Sequence, residues 1–440
     1  MLWTVPASFT PAVLAIYNER FTLPQIAANA RAAVIGQVSG ERRYRVCSRG
    51  SAVIDVPIEV LAGAIAAQRT ASPPPADAGE DAPSFVPEAP FEATLLAALA
   101  HSDVCSRRPL IDHYDTEVRG ATVIPSGYAD AGVIVVKRGA RAGIALSVDG
   151  NPRFGAVSSR AAAAHAVVEA ARNVAAVGAT PIGLTDCLNY GNPEDPQAYR
   201  QLCDGVEGLA EAAMRLELNR PGEPLPFVSG NVSLYNESSS GAAIAPSAIV
   251  GCIGRVDDVG KVVTMRLTGS GNALLLLGQR SGHLRGSVFE AVSGVSAGGS
   301  LPPIDYAAEV TAMRAVIEGI RCGAVTAAHD ISDGGLLVCV SEMCFGGDGV
   351  GEIGARLSPP EVWAPGIHHS SALFGEKGGF VVEVPAASRA SFASICAARG
   401  AKTVDIGTTG GDSIAVEGIG SVALDRAAEA WTSTLRELYA

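Results

Sequence analysis

Short apolar runs alternate with longer amphipathic stretches through most of the chain, a pattern typical of α/β proteins. Compact apolar runs predict strands over residues 132–136, 143–148, 247–253, 273–278 and 380–384. Helical periodicity predicts helices over 92–99, 159–177, 197–216, 306–320, 336–343 and 387–399, with a last helix from Asp425. The pattern therefore predicts an α/β (α+β) fold whose sheets are covered by helices.

The polar and proline-rich stretches divide this pattern into four parts. Residues 1–67 predict a small α/β piece, with strands over 12–16, 33–38, 44–46 and 52–57 and a helix over 23–33. Residues 68–92 are rich in Pro, Ala, Asp and Glu and predict an extended linker. The rest predicts two larger units, 93–260 and 261–440.

Two polar segments are the strongest candidates for chemistry. Residues 185–193 read TDCLNYGNP and residues 229–237 read SGNVSLYNE, and each follows a short apolar run. Asp186 and Asn231 carry oxygen ligands of the kind that Mg²⁺ takes. The backbone beside Gly230 can approach a phosphate closely. These segments predict ligand-binding loops after two strands, and ordinary tight turns are the alternative.

Composition and charge narrow the class of protein. The 440 residues are 48% hydrophobic and 18% charged, which is typical of a globular chain with a large core. A net charge of −12 argues against a nucleic-acid partner or an anionic membrane surface. No apolar run is long enough to span a bilayer, and no secretory signal pattern is present, so a cytoplasmic protein is expected.

Nine scattered cysteines predict free thiols, most of them buried. Cys187 lies in the first polar segment, but the sequence shows no base paired with it, and a nucleophilic role has no support. His165, Glu169 and Arg172 share one stripe of the helix predicted over 159–177, which we interpret as a solvated face. Ser332 or Asp333 is expected to cap the helix over 336–343, and an anion at its first turn is the alternative.

Several of these motifs together resemble one family. The segment NVAAVGATP at 173–181 followed by TDCLNYGNP resembles phosphoribosylformylglycinamidine synthase, the ATP-using synthetase of purine biosynthesis. Residues 145–154, 229–237 and 329–335 match the same family in the same order. The resemblance implies an aminoimidazole-ribonucleotide-synthetase-like N-domain and C-domain, preceded by the tail of another such C-domain and the linker.

This resemblance is to the C-terminal half of the family's synthetase. The family's catalytic His, in an S-E-H-C-type motif, and its main acidic Mg²⁺ ligands belong to the first half, and this sequence contains no S-E-H-C. The chain begins with its own Met, so a split gene product or a truncation is expected. The implied partners are an N-terminal half of the synthetase, a glutaminase subunit and a small bridging subunit.

The implied reaction is an ATP-dependent C–N ligation. ATP phosphorylates the amide oxygen of formylglycinamide ribonucleotide, and glutamine-derived ammonia displaces the phosphate to give the amidine. Carried over by motif, Asp186 and Gly230 bind ATP, Asn231 binds Mg²⁺ and Ser233 binds the substrate. No catalytic residue is assigned to this chain.

The resemblance leaves alternatives open. The family's substrate-contacting E-S-Q stretch corresponds to Val5-Pro6-Ala7-Ser8-Phe9-Thr10 here, without Glu or Gln. A non-catalytic nucleotide-binding or scaffold module of the same complex is therefore the alternative function. A small-molecule kinase of the same fold is a further alternative, but those enzymes carry runs of Asp for Mg²⁺, and this chain has Asn173 where an acid would be expected.

Overall fold

The computed structural model describes residues 2–63, 68–73, 86, 90–220, 222–294 and 296–439. Most of the predicted linker over 68–92 lies outside the described residues. The chain divides into two compact units, Met1–Gln68 and Arg69–Ala440.

The described part of the first unit contains three short α-helices, a 3₁₀ turn, a π-helical turn and one antiparallel hairpin. The helices are α1 (Thr10–Ala15), α2 (Leu23–Ile26) and α3 (Ile58–Ala62), and the hairpin strands are β1 (Arg43–Ser48) and β2 (Ser51–Pro57). No described residue of these elements is buried. The unit therefore has no core of its own among its described elements.

The predictions of two strands in this unit are wrong. Residues 12–16 are helical, because Pro11 lies at the start of α1, where its fixed φ favours a helix and its missing N–H costs nothing. Residues 33–38 form no strand, and the helix predicted over 23–33 ends at Ile26. The hairpin confirms the other two predicted strands.

The first half of the second unit is built on a six-stranded sheet in the order β3-β4-β5-β8-β6-β7. Its strands are β3 (Thr122–Ile124), β4 (Gly132–Val135), β5 (Gly143–Asp149), β6 (Thr180–Asn189), β7 (Phe227–Ser233) and β8 (Ser247–Val256). The helices are α4 (Phe91–Leu99), α5 (Arg108–Ile111), α6 (Pro152–Val157), α7 (Ser159–Ala176) and α8 (Pro196–Arg215). The β6–β7 pair is parallel, and the other pairs are antiparallel.

The second half is built on a seven-stranded sheet in the order β10-β12-β9-β13-β11-β14-β15. Its strands are β9 (Ala273–Leu277), β10 (Ala327–Asp330), β11 (Ala355–Leu357), β12 (Phe380–Val384), β13 (Thr403–Thr409), β14 (Ser413–Val416) and β15 (Gly420–Ala423). Its helices are α9 (Val288–Ser293), α10 (Tyr306–Arg321), α11 (Gly335–Phe345), α12 (Pro360–Trp363), α13 (His369–Phe374), α14 (Arg389–Arg399) and α15 (Leu424–Tyr439).

Helix α7 is the central element that joins the two sheets. Fifteen of its 18 residues are buried, so it is covered on every side rather than on one face. Its small side chains belong to a core that also contains residues of β5, β6, β8, α8 and α10. Gly208 of α8 lets the two helices approach closely, because a Cβ there would lie 2.1 Å from the carbonyl oxygen of Arg160.

A second core lies on the other face of the seven-stranded sheet. It contains α11 and the buried face of α15, and α4 packs into it through Leu95 and Leu99. In the part of the chain that the structure describes, no helix is both long and apolar enough to cross a membrane.

Candidate functional site

The two polar segments lie side by side at the edge of the six-stranded sheet. They continue as paired strands and not as loops, so that prediction is wrong for residues 185–189 and 229–233. Asp186 pairs with Gly230, Cys187 with Asn231 and Asn189 with Ser233. The ladder satisfies backbone groups that a loop would leave to solvent, which explains why the strands run on. The segments predicted to share a site are therefore neighbours.

Asp186 and Gly230 are in direct contact. A Cβ built on Gly230 would lie 2.5 Å from Asp186 Oδ1, so the carboxylate occupies the space that a side chain would need. Partial burial raises the pKa of Asp186, and a hydrogen bond from the backbone N–H of Asn231 opposes that rise. The Asp186 carboxylate and the exposed backbone at Gly230 therefore lie next to each other.

Asn231 and Ser233 face the other side of the strand, because successive residues of a strand alternate. Asn231 is exposed, and its Nδ2 donates to Cys187 Sγ at 3.3 Å. Ser233 Oγ donates to Asn236 Oδ1 at 3.3 Å, and Asn236 Nδ2 donates back to the Ser233 carbonyl at 2.6 Å. The four predicted site residues thus lie on one edge strand pair but present two faces.

One face of β4 and β5, which β8 separates from β6 and β7, is apolar and exposed. Ile134, Leu146 and Val148 are 37%, 50% and 73% exposed, although Ala145 and Ser147 between them are buried. Among the described strands, β7 has a neighbour on one side only, so its outer edge carries free backbone groups. An exposed apolar sheet face and an open strand edge are both surfaces suited to another polypeptide.

A second polar centre lies between the two sheets, and no pattern in the sequence predicted its contacts. His329 at the end of β10 contacts Asp130 Oδ1 through Nδ1 at 2.5 Å and Glu342 Oε2 through Nε2 at 3.1 Å. The other oxygen of Asp130 accepts from the backbone N–H of Asp330 at 2.9 Å. Burial lowers the pKa of His329, but Asp130, Cys339 and Glu342 together outweigh burial and hold that pKa well above the usual value.

Arg172 of α7 supplies the opposing charge in this centre. It is 3% exposed and forms ion pairs of 3.3 Å with Asp330 and with Glu309. Burial raises the pKa of Asp330 to about 6, while Arg172 lowers it. The interpretation of the α7 stripe as a solvated face is therefore wrong, because α10 and β10 cover it.

His165 on the same stripe is also buried. Its Nε2 lies 2.9 Å from the carbonyl oxygen of Pro302, and burial lowers its pKa to about 4. Nearby, Asn173 Nδ2 donates to Asp149 Oδ1 at 2.7 Å, and burial raises the pKa of Asp149. Asp149 Oδ2 and Asn173 Oδ1 are buried without a hydrogen-bond partner among the described residues. This stripe holds the two halves together.

The start of α11 differs from its prediction. Gly334 is the N-cap, in a left-handed conformation and without a side-chain cap. Asp333 instead accepts from Asn151 at 2.9 Å and from Arg153 at 2.7 Å, and Glu376 Oε1 accepts from the Gly334 N–H at 2.8 Å. Burial raises the pKa of Glu376 to about 8. The helix N-terminus is thus already bound by a carboxylate of this chain.

Asp130, His329 and Asp330 offer ligand atoms within 4.8 Å of one another, a spacing that a metal ion could use. However, His329 already contacts two carboxylates and Asp330 already pairs with Arg172. Each acidic group of this centre therefore already has a cationic partner within the chain. Among the described residues, Asp186 at the β6–β7 edge forms no ion pair.

Two family models match the second unit. Residues 128–256 match the N-terminal domain of AIR synthase related proteins, and residues 269–418 match their C-terminal domain. This chain belongs to the AIR synthase related family. The fold class expected from the motifs is thereby confirmed.

Relatives of this AIR synthase related chain confirm the resemblance found in its motifs. It is 40% identical over 437 residues to phosphoribosylformylglycinamidine synthase subunit PurL of Methanothrix thermoacetophila. The aligned region covers 98% of this chain and 56% of the relative. It is 39% identical to the same subunit of Thermomicrobium roseum, covering 99% and 58%. The chain spans about half the length of these curated relatives.

Solved structures show the same fold. T. maritima PurL complexed with FGAR matches with a TM-score of 0.60 at 19% identity, covering 78% of this chain and 54% of that one. The structure of PurLQS from Thermotoga maritima matches with a TM-score of 0.52 at 21% identity, covering 85% and 50%. Both likenesses extend over about half of the longer chain.

Proposed function

We propose that this chain is the C-terminal half of the synthetase component of phosphoribosylformylglycinamidine synthase, an ATP-dependent C–N ligase of purine biosynthesis. The observation that carries the proposal is the β6–β7 pair, which presents Asp186, Gly230, Asn231 and Ser233 together at an open sheet edge. The PurL names of the relatives support it, as do solved PurL structures described as complexes with FGAR and with ATP. A role in purine biosynthesis would place the chain in the cytoplasm.

The proposed reaction gives a role to each residue of the β6–β7 edge. ATP transfers its terminal phosphoryl group to the amide oxygen of formylglycinamide ribonucleotide, and ammonia then displaces phosphate to give the amidine. Asp186 and the uncovered backbone at Gly230 would contact ATP, and Ser233 would contact the ribonucleotide. Their role is to position substrates, which contributes strongly to phosphoryl transfer.

Mg²⁺ fits this edge only as a shared ion. Asn231 is exposed and offers one neutral oxygen, whereas Mg²⁺ takes six oxygen ligands and favours carboxylates and phosphates. Segments 185–189 and 229–233 contain a single carboxylate, that of Asp186. When bound, Mg²⁺ would neutralise phosphate charge, with its acidic ligands on another polypeptide.

The partner that completes the site would be the N-terminal half of the synthetase. The exposed face of Ile134, Leu146 and Val148 and the unpaired edge of β7 offer it a contact surface. That half would carry the catalytic His. A glutaminase subunit that releases ammonia from glutamine and a small bridging subunit would complete the assembly.

A non-catalytic nucleotide-binding module of the same complex is the second candidate. It is favoured by the single carboxylate at β6–β7 and by the ion pairs that the acids of the buried centre already form within the chain. Under this alternative, substitutions at the edge would weaken nucleotide binding without slowing turnover.

The test is reconstitution. This chain is mixed with a first-half polypeptide, the glutaminase and the bridging subunit, and ATP-dependent amidine formation is measured. Asp186→Ala and Asn231→Ala should each abolish the stimulation that this chain provides. Asp257→Ala, an exposed acid at the end of β8, should not change it. Unchanged turnover in both edge variants, with weaker nucleotide binding, would favour the binding module instead.

A further inference from the structure

Cys187 lies at the centre of the candidate edge, and the proposed function gives it no role. On β6 it faces the same side as Asn231 of β7, its partner in the parallel register. Asn231 Nδ2 donates to Cys187 Sγ at 3.3 Å. The half-buried sulfur is thus the acceptor that holds the exposed asparagine amide.

The contact continues across the sheet. Cys187 Sγ lies 3.9 Å from Asn189 Oδ1, within reach of a weak S–H donor. Asn189 Nδ2 in turn donates to the Cys187 carbonyl at 2.9 Å and to the Ser247 carbonyl of β8 at 3.4 Å. A chain of polar contacts therefore runs from β7 through β6 to β8. Because its far end is backbone of a central strand, its position is fixed.

This series of polar contacts determines the orientation of the Asn231 side-chain amide. A primary amide carries two N–H donors on one side of its carbon and an oxygen acceptor on the other. With Nδ2 bound to the sulfur, Oδ1 is turned away from β6. Among the described residues, no hydrogen bond ends on Asn231 Oδ1. The oxygen is therefore presented outward.

We propose that Cys187 is a positioning residue for Asn231: its sulfur binds the amide nitrogen so that Oδ1 is presented to the Mg²⁺ of the nucleotide. This inference rests on the proposed function, because it assumes that Asn231 is a metal ligand. It also gives the thiol a role that needs neither a paired base nor a covalent intermediate.

Two substitutions of Cys187 distinguish the effect of its sulfur as a hydrogen-bond acceptor from the effect of its side-chain volume. Cys187→Val keeps a residue of similar size that favours strands but has no acceptor, whereas Cys187→Ser keeps an acceptor. Cys203→Ala, a half-buried thiol on α8, is the control. If Cys187→Val does not fold, Cys187→Ala takes its place, and thermal unfolding checks each variant.

The first readout needs neither metal nor turnover. In this chain, the side-chain amide of Asn231 is identified in ¹⁵N–¹H spectra by its loss in Asn231→Ala, and its hydrogen exchange is measured. Exchange should be several-fold faster in Cys187→Val than in the parent, and slow in Cys187→Ser and Cys203→Ala. Equal exchange in the parent and Cys187→Val would overturn the proposal.

The second readout is the Mg²⁺ dependence of ATP turnover in the reconstituted complex. Loss of a group that orients a metal ligand typically costs 10–100-fold in metal affinity. Cys187→Val should raise the half-saturating Mg²⁺ concentration about tenfold, with kcat at saturating Mg²⁺ largely retained, and Cys187→Ser should restore it.

The two readouts separate failure of this inference from failure of the proposed function. If Asn231→Ala raises the Mg²⁺ requirement but Cys187→Val does not, the positioning role is overturned and the metal role stands. If Asn231→Ala leaves the Mg²⁺ requirement unchanged, the metal role is overturned and the inference falls with it, whatever the amide exchange shows.

Discussion

The exposed edge at β6–β7 and the buried centre between the sheets use similar residues for opposite purposes. At the edge, Asp186 lies against glycine backbone and has no ion pair among the described residues. In the buried centre, Asp330 pairs with Arg172, and Asp130 pairs with His329. Acidic residues therefore mark a candidate ligand site where no described cation pairs with them, and a structural joint where such a cation does.

The largest effect on stability should come from breaking the buried joint. Arg172→Met leaves the buried Asp330 and the half-buried Glu309 without their counter-ion, which typically costs about 3–5 kcal/mol. The free energy of unfolding is measured by urea denaturation. The matched control is Arg160→Met on the same helix, whose exposed pairs with Glu207 and Glu211 contribute about 0–1 kcal/mol. Equal losses in both variants would remove the contrast between buried and exposed charge.

At the edge, Gly230→Ala should damage activity much more than stability. The added Cβ would meet the Asp186 carboxylate at 2.5 Å and displace it. A misplacement of this size typically costs on the order of 10²-fold in rate, and we expect that loss in amidine formation by the reconstituted complex. Gly260→Ala, whose Cβ would meet Asp258 at an ordinary 3.4 Å, serves as the control. Full activity in Gly230→Ala would argue against a role for this backbone.

A buried carboxyl at the start of α11 should also make stability depend on pH. Burial raises the pKa of Glu376 to about 8, above its value in the unfolded chain. The stability that this group contributes is then fully present below about pH 4.5 and is lost as the pH rises through 8. Glu376→Gln should show a smaller decline in denaturation midpoint between pH 5 and pH 9 than the parent. Parallel curves would show that Glu376 does not titrate in this range.

The smallest effect on stability is expected on the exposed sheet face. Val148 is 73% exposed, so Val148→Lys should change the free energy of unfolding by no more than about 0.5 kcal/mol. The same change should weaken association with the first-half polypeptide, measured by analytical ultracentrifugation. Glu361→Lys, on the exposed side of α12, tests whether a more positive surface elsewhere on the chain has that effect. Undiminished association of Val148→Lys would place the partner elsewhere.

Local signals predicted the elements well where a helix cap or a strand pattern is complete within a few residues. Helix α7 was predicted to within one residue, because Ser158 caps it and its Ala and Val residues continue without a break. The β6–β7 segments were recognised as a pair from their composition. Their strand character was missed because Asn, Gly and Ser favour turns in isolation, whereas the parallel ladder decides the outcome.

Distant partners explain what the sequence could not show. Asp130 and His329 are separated by 199 residues, and Arg172 meets Asp330 across 158. No local sequence pattern predicts pairs between residues so far apart. The polar stripe of α7 was therefore interpreted as a solvated face. Asp333 was expected to cap α11 for the same reason, but Asn151 and Arg153 from α6 and the turn before it bind its carboxylate.

The most direct test of the account is whether this chain binds nucleotide without the first-half polypeptide. ATP with Mg²⁺ is titrated calorimetrically into this chain, into the first-half polypeptide and into their mixture. The account predicts tight binding at the shared site only in the mixture, and loss of that binding in Asp186→Ala. If this chain alone bound ATP with Mg²⁺ as tightly as the mixture does, or if Asp186→Ala left binding in the mixture unchanged, the account would be contradicted.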